Sequence, residues 1–247
     1  MVSEHMQRVY LYAIVDGDAV LTTPVTGFTG VPVTLLPVEG LAAAISPVEM
    51  EMLKDTAAAA LLHEEVVEHL MTERRVLPVR FGAVFSSVEA LTAALRARRS
   101  VLVADLAWLD GQVEIGVRLL WDGEARRSRA GDTQQEDDVL SPATGPGSQY
   151  LRARMQEVAV ESRLRQQASR LAERCEQMLA PFVTALKVRV LATGQMPVSI
   201  ACLVKRDAVA ALVDAVAALR ALEPDIQAVC TGPWPPYHFV SDSQGES

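Results

Sequence analysis

Gln112-Val-Glu-Ile-Gly-Val-Arg-Leu-Leu-Trp121 alternates with the two-residue period of a strand, and the turn pair Asp110-Gly111 stands before it. The order of elements downstream of this strand decides the fold class. A helix is expected from Tyr150 to about Leu179, roughly 45 Å long at 1.5 Å per residue. Leu164, Ala168, Leu171, Cys175, Met178 and Phe182 repeat along it in alternating steps of four and three, with Pro181 at its end. The seam spans under three heptads, so packing on its own sheet is the expectation. Strands at Leu186–Leu191 and Val198–Val204 come next, joined around Thr193–Pro197. Asp207 then caps a helix to about Leu222, with Leu212, Val216 and Leu219 on one face, and Ile226–Cys230 closes as a strand. The order βαββαβ is that of a ferredoxin-like sandwich. Asp122–Gln149 interrupts it with an arginine cluster, an acidic cluster and a Ser/Pro/Gly run. Having few apolar side chains to offset its ordering entropy, this stretch reads as an inserted mobile loop, and its charges as solvated.

Upstream of Gly111 the order is mixed in the same way but less regular. Arg8–Val15 (RVYLYAIV), Val33–Leu36 and Leu41–Ile45 are strand signals whose spacing predicts a short antiparallel meander. Ser46-Pro47-Val48-Glu49 has the composition of a helix start, and the helix should run, with one break, to about Arg74 on the stripe Leu62, Val66, Leu70. Val76–Phe85 reads as a strand that Pro78 and Gly82 confine to an edge or a bulge. Ser86, Ser87 and Glu89 open another helix to about Leu109. The expectation is an α+β protein of two domains: 1–110, then a ferredoxin-like domain 111–240 with a long first helix and the mobile loop at 122–149, then a polar tail 241–247.

The chain's 247 residues suffice for two cores, which must be filled mainly by Ala, Val and Leu because aromatics are only 5%. A net charge of −8 argues against general nucleic-acid binding. Cys175, Cys202 and Cys230 are scattered and odd in number, which reads as reduced thiols in a cytoplasmic protein. No signal peptide is read in the polar start, and no run of about 18 apolar residues suggests a lipid membrane span.

The terminal run Cys230-Thr-Gly-Pro-Trp-Pro-Pro-Tyr-His-Phe-Val240 resembles the closing signature of the GvpF/GvpL family of gas vesicle proteins. Val9–Val15, His63-Glu-Glu-Val-Val67, Val76–Phe85, Val113–Val117 and Gly147–Arg152 are similar to other segments of that family in the same order. The resemblance implies a non-enzymatic accessory protein of vesicle assembly, in the cytoplasm and at the gas vesicle. Its implied partners are the small hydrophobic shell protein and other gas vesicle accessory proteins. It carries over no catalytic residue and no cofactor.

Two places could hold a partner. Prolines stiffen Gly232–Val240 and present Trp234, Tyr237 and Phe239 at little ordering cost. Trp234 is expected to pack on the protein's own sheet; Tyr237 and Phe239 could equally pack inward or anchor a partner. Val79, Arg80 and Phe81 lie on the edge-like strand, where a partner strand could add by augmentation, and Arg80 is placed to pair with Glu64 or Glu65. His63 and His69 do not share a helical face, and Glu65 with His69 lacks further ligands, so no metal site is expected. Thr193-Gly-Gln joins two strands and lacks the helix N-terminus of a phosphate loop. The alternative function is a small-molecule-binding regulatory module, since ferredoxin-like sandwiches often bind ligands.

Overall fold

The computed structural model describes residues 8–17, 21–54, 56–128, 146–191, 195–222 and 225–241. It has a mixed α/β fold with two sheets, and the chain divides into two compact units. The first takes the described residues up to Glu114 together with those from Pro233 onward; the second is Ile115–Gly232. The chain crosses from the first unit to the second between Glu114 and Ile115 and returns at Pro233.

The first unit is built on β1 (Val9–Asp16), β2 (Thr34–Val38), β3 (Leu41–Pro47), β4 (Val76–Pro78) and β5 (Val84–Phe85), in the order β2-β3-β1-β4 with β5 also on β1. The expected meander is corrected, because β3 and not β2 lies beside β1. β2 and β3 are closed by the two-residue turn Glu39-Gly40, both at positive φ, which suits a tight antiparallel hairpin. Of the two, β3 has the side chains for a central place: Leu41-Ala-Ala-Ala-Ile45 is buried throughout, while β2 carries Pro37 at the edge. β1 is buried on both faces. Tyr10, Tyr12 and Val15 pack into a core with Ala59, Val66, Val67 and Leu70 of α1 (Thr56–Glu73). Helices α2 (Val88–Ala97) and α3 (Arg99–Trp108) cover further parts of the sheet. Ser87 caps α2 by accepting the Ala90 N–H at 3.2 Å, and the single helix expected to Leu109 breaks at Arg98.

Ser46-Pro47 is not a helix start. Both residues extend β3, and the chain passes through a 3-10 turn at Met50–Leu53 before α1. The Ser46 hydroxyl is buried and serves the sheet, 2.9 Å from the Tyr12 hydroxyl and donating to the Pro47 carbonyl at 3.1 Å. A serine used in this way cannot cap.

The second unit contains β6 (Gln112–Trp121) from Ile115 onward, a short helix α4 at 123–128, α5 (Pro146–Leu179), β7 (Ala185–Val190), β8 (Val198–Lys205), α6 (Val209–Leu222) and β9 (Ile226–Trp234) as far as Gly232. Its sheet runs β7-β8-β6-β9. α5 packs on β7 and β8 and buries Leu164, Ala168, Leu171, Cys175 and Leu179, and α6 buries Leu212, Val216 and Leu219. Phe182, expected on the seam, is exposed beyond the helix end.

Four expectations are corrected in this unit. Part of the presumed mobile loop is helical: Asp122 Oδ1 accepts the N–H groups of Glu124 (3.1 Å) and Ala125 (3.0 Å), which starts α4. α5 begins at Pro146 rather than Tyr150. Residues 129–145, the rest of that stretch, lie outside the described residues. Asp207 sits within a 3-10 turn (Arg206–Ala208) before α6 instead of capping it. β9 continues past Cys230 to Trp234, an edge position where Pro233 removes no interior ladder bond.

Candidate functional site

The interruption between β4 and β5 is the starting point. Val15, Ile14 and Ala13 pair with Val76, Leu77 and Pro78; Tyr10 and Val9 pair with Val84 and Phe85. Between these two patches the chain leaves the ladder, held by Val79 N–H to Tyr12 O (3.1 Å) and Leu11 N–H to Ala83 O (2.9 Å). Pro78 has no N–H to continue the ladder, and Gly82 turns at φ +96°, a conformation that favours glycine. A groove of about 630 Å³ opens at this interruption. Leu11, Ile14 and Leu77 line it from the sheet, Leu95 and Leu102 from the helices, residues 79–83 from the excursion, and Tyr237, Val240 and Ser241 from the terminal segment. Arg80 and Arg98 are the cationic residues of a mostly apolar lining.

The terminal segment reaches the groove because two buried carboxylates fasten it. Glu114 Oε2 accepts the His238 N–H at 3.0 Å, and its Oε1 lies 2.6 Å from His238 Nδ1. Asp105 accepts the Ser241 N–H on Oδ2 (2.9 Å) and the Ser241 hydroxyl on Oδ1 (2.8 Å). Arg98 donates to the Ser241 carbonyl at 3.0 Å. Between these anchors Phe239 is buried and meets Trp108 edge-on at 6.3 Å. The proline-stiffened segment, expected to be extended, instead turns at its end: Tyr237–Phe239 forms a 3-10 turn closed by Tyr237 N–H to Pro235 O (2.8 Å) and Phe239 N–H to Pro236 O (3.0 Å).

Tyr237 is fixed from behind by a chain of buried polar groups. The Gly82 N–H donates to the Tyr10 hydroxyl (2.9 Å), which lies 3.0 Å from His63 Nδ1; His63 Nε2 lies 3.2 Å from the Tyr237 hydroxyl, which in turn bonds the Glu64 carboxylate. One direction satisfies every member: Tyr10 donates to Nδ1, Nε2–H donates to Tyr237, and Tyr237 donates to Glu64. Burial keeps His63 neutral by lowering its pKa to about 4, against a smaller opposing hydrogen bond with the Val79 backbone. Burial pushes Tyr10 and Tyr237 well above the usual phenol range, the Glu64 charge adding to the effect at Tyr237. Burial also raises Glu64, with the Tyr237 bond pulling the other way. At neutral pH the chain holds geometry, since both imidazole nitrogens are engaged and neither changes charge.

Of the residues singled out from sequence, Val79, Arg80, Phe81 and Tyr237 are brought together at the groove. Phe81 packs beside the rings of Tyr10 (6.4 Å) and His63 (6.0 Å). Phe239 is internal. Trp234, for which internal packing was expected, is 40% exposed, more than the other aromatics of its segment. Asp105 and Glu114 were not foreseen, and His63 was weighed only as a metal ligand. Their signal was an ionisable side chain on an apolar stripe: Asp105 among Leu102, Leu106 and Leu109, and His63 among Ala59, Val66, Val67 and Leu70. Among the described residues, no group of three or more His, Cys, Asp or Glu side chains could hold a metal ion. No helix among them is long and apolar enough to cross a membrane.

Comparison with known proteins agrees with this description over nearly the whole chain. The family described as gas vesicle synthesis protein GvpL/GvpF matches residues 8–241. Gas vesicle protein F2 of Halobacterium salinarum is 28% identical over 238 residues, covering 94% of this chain and 92% of the relative. Gas vesicle protein L2 of the same organism is 27% identical, covering 94% and 91%. The crystal structure of gas vesicle protein GvpF from Anabaena sp. superposes with a TM-score of 0.80 at 21% identity, covering 96% of this chain and 100% of that one. That of GvpF from Microcystis aeruginosa gives 0.76 at 20% identity, covering 95% and 99%. At such identities the two structures speak for the fold.

Proposed function

The chain belongs to the GvpL/GvpF family of gas vesicle proteins, and on that premise we propose that it is an accessory protein of vesicle assembly that binds the hydrophobic shell protein in the groove beside β4 and β5. It acts in the cytoplasm and at the gas vesicle, alongside other gas vesicle accessory proteins, and carries out no bond-making step. The observation that carries this reading is the juxtaposition of an interrupted sheet edge with an apolar groove. An unpaired edge offers backbone partners to an incoming strand, and the groove receives its side chains. Val79, Arg80, Phe81 and Tyr237 are the contact residues, Phe239 supports them from within, and Trp234 is a separate exposed anchor. The helix-strand order of the second unit and its β7-β8-β6-β9 sheet support reading it as a ferredoxin-like domain.

Co-expression with the shell protein tests the proposal. The parent chain should keep the shell protein soluble in a complex, and Val79→Asp and Phe81→Asp should abolish that complex by charging the groove. No complex with the parent overturns the function; an unchanged complex with both variants overturns the location. The groove's volume also falls within the range of small-molecule sites, which favours a regulatory ligand as the second reading. A compound at a hundredfold excess over its Kd would add about 2.7 kcal/mol of stability in a thermal-shift screen.

A further inference from the structure

Helix α5 carries nine successive exposed residues, Tyr150–Val158, and from Tyr150 onward its first buried side chain is Leu164. Three of the nine form an apolar stripe at the spacing of one helical face: Leu151 is 62% exposed, Met155 70% and Val158 52%. At 3.6 residues per turn this stripe lies roughly 140° around the helix from the buried seam of Leu164, Ala168, Leu171 and Cys175. The packing that seats α5 on its own sheet therefore leaves the stripe uncovered.

We propose that the stripe pairs with the same stripe of a second copy of this chain, the two α5 helices running antiparallel. The flanking charges select this occupant. Taking Leu151, Met155 and Val158 as the seam, Arg154 and Glu161 both fall on one flank, one heptad apart, and both are exposed. In the antiparallel register that sets Met155 against the second copy's Val158, Arg154 falls opposite the second copy's Glu161. The two-fold axis then repeats the pair, so one surface complements itself. The other antiparallel register, Leu151 on Met155, brings Arg154 against its own mate. A parallel pair sets Arg154 beside Ala159 and Glu161 beside Gln166, with no attraction gained. Within one chain Arg154 is held by Glu157 at 2.7 Å, but both side chains are more than half exposed and such a pair is easily exchanged. Three apolar side chains per copy fall short of the about 800 Å² per partner of a standard interface, so the association is weak and concentration-dependent.

Sedimentation velocity of the full chain, from low micromolar to near-millimolar concentration, tests this. The parent should shift from monomer towards dimer, and Met155→Glu, at a solvent-exposed position that leaves the fold intact, should lose the shift. Arg154→Glu should lose it too, and Arg154→Glu combined with Glu161→Arg should regain it. A parent that stays monomeric at every concentration overturns the proposal, whatever else covers the stripe. Assembly larger than a dimer, or an Arg154→Glu variant that associates like the parent, overturns the antiparallel register.

Discussion

Asp105 and Ser241 form a pair whose energetics can be worked out in advance. Asp105 is 6% exposed, and both its carboxylate oxygens are occupied by Ser241, one by the N–H and one by the hydroxyl. A hydrogen bond to a charged acceptor contributes about 1.5–3 kcal/mol net. Asp105→Ala removes two of them, but it also spares the desolvation of a carboxylate, and exposed Ser241 can turn its donors to water. The expected loss is about 1–3 kcal/mol. Ser241→Ala removes only an O–H, yet it leaves Oδ1 of a buried carboxylate without that donor, which costs about 1–3 kcal/mol as well. The small change on an exposed serine should therefore hurt as much as the large change on a buried acid. In the Asp105→Ala background, Ser241→Ala should cost under about 0.5 kcal/mol, because its partner is already gone. Urea titration followed by tryptophan fluorescence reads all three variants, since Trp108 sits 6.3 Å from Phe239 in the fastened segment. A neutral Ser241→Ala, or a double variant whose loss equals the sum of the singles, would falsify the claim that these two residues fasten the terminus.

His63 makes stability depend on pH. Its folded pKa of about 4 lies below the ordinary 6.5, so as pH falls the unfolded chain takes up the proton first. The stability is complete above about pH 6.5 and erodes as pH falls towards 4, by up to about 3 kcal/mol. His63→Gln should flatten that slope in urea titrations at pH 7 and pH 5; an unchanged slope would mean that the imidazole already titrates in the folded state. Gly17→Ala should destabilise by about 1–3 kcal/mol, because the new Cβ would lie 2.4 Å from the Gly40 carbonyl carbon, which belongs to a backbone that cannot swing aside. Equal thermal midpoints for Gly17→Ala and the parent would show that the β1–β3 end yields easily.

Much of the architecture could be read from local pattern, and the failures have physical causes. β6 and the bodies of the two later helices carried unbroken periodicity and followed from residue spacing, whereas the starts of those helices did not. The order of β1, β2 and β3 did not, since pairing partners depend on which strand offers a wholly apolar face, and Leu41–Ile45 outweighs chain proximity. Ser46-Pro47 misled because the same hydroxyl can cap a helix or satisfy a buried tyrosine, and only the position of Tyr12 decides between them. At the site, Val79–Phe81 and Tyr237 stood out through proline, glycine and aromatic content. The buried acids did not, because Asp105 lies 136 residues from the serine that gives it a purpose.

The return of the terminal segment to the first unit has a bearing on how the chain is made. Tyr237, Phe239 and Ser241 emerge from the ribosome after the whole of Ile115–Gly232, so synthesis of the second unit must finish before the first can be completed. Until then Asp105 and Glu114 await their partners, and the apolar surface meant for Phe239 is bare. For a protein whose family serves gas vesicles, maturation of the first unit thus waits on translation of the segment after Gly232, and a nascent chain stalled before Pro233 cannot carry a finished groove.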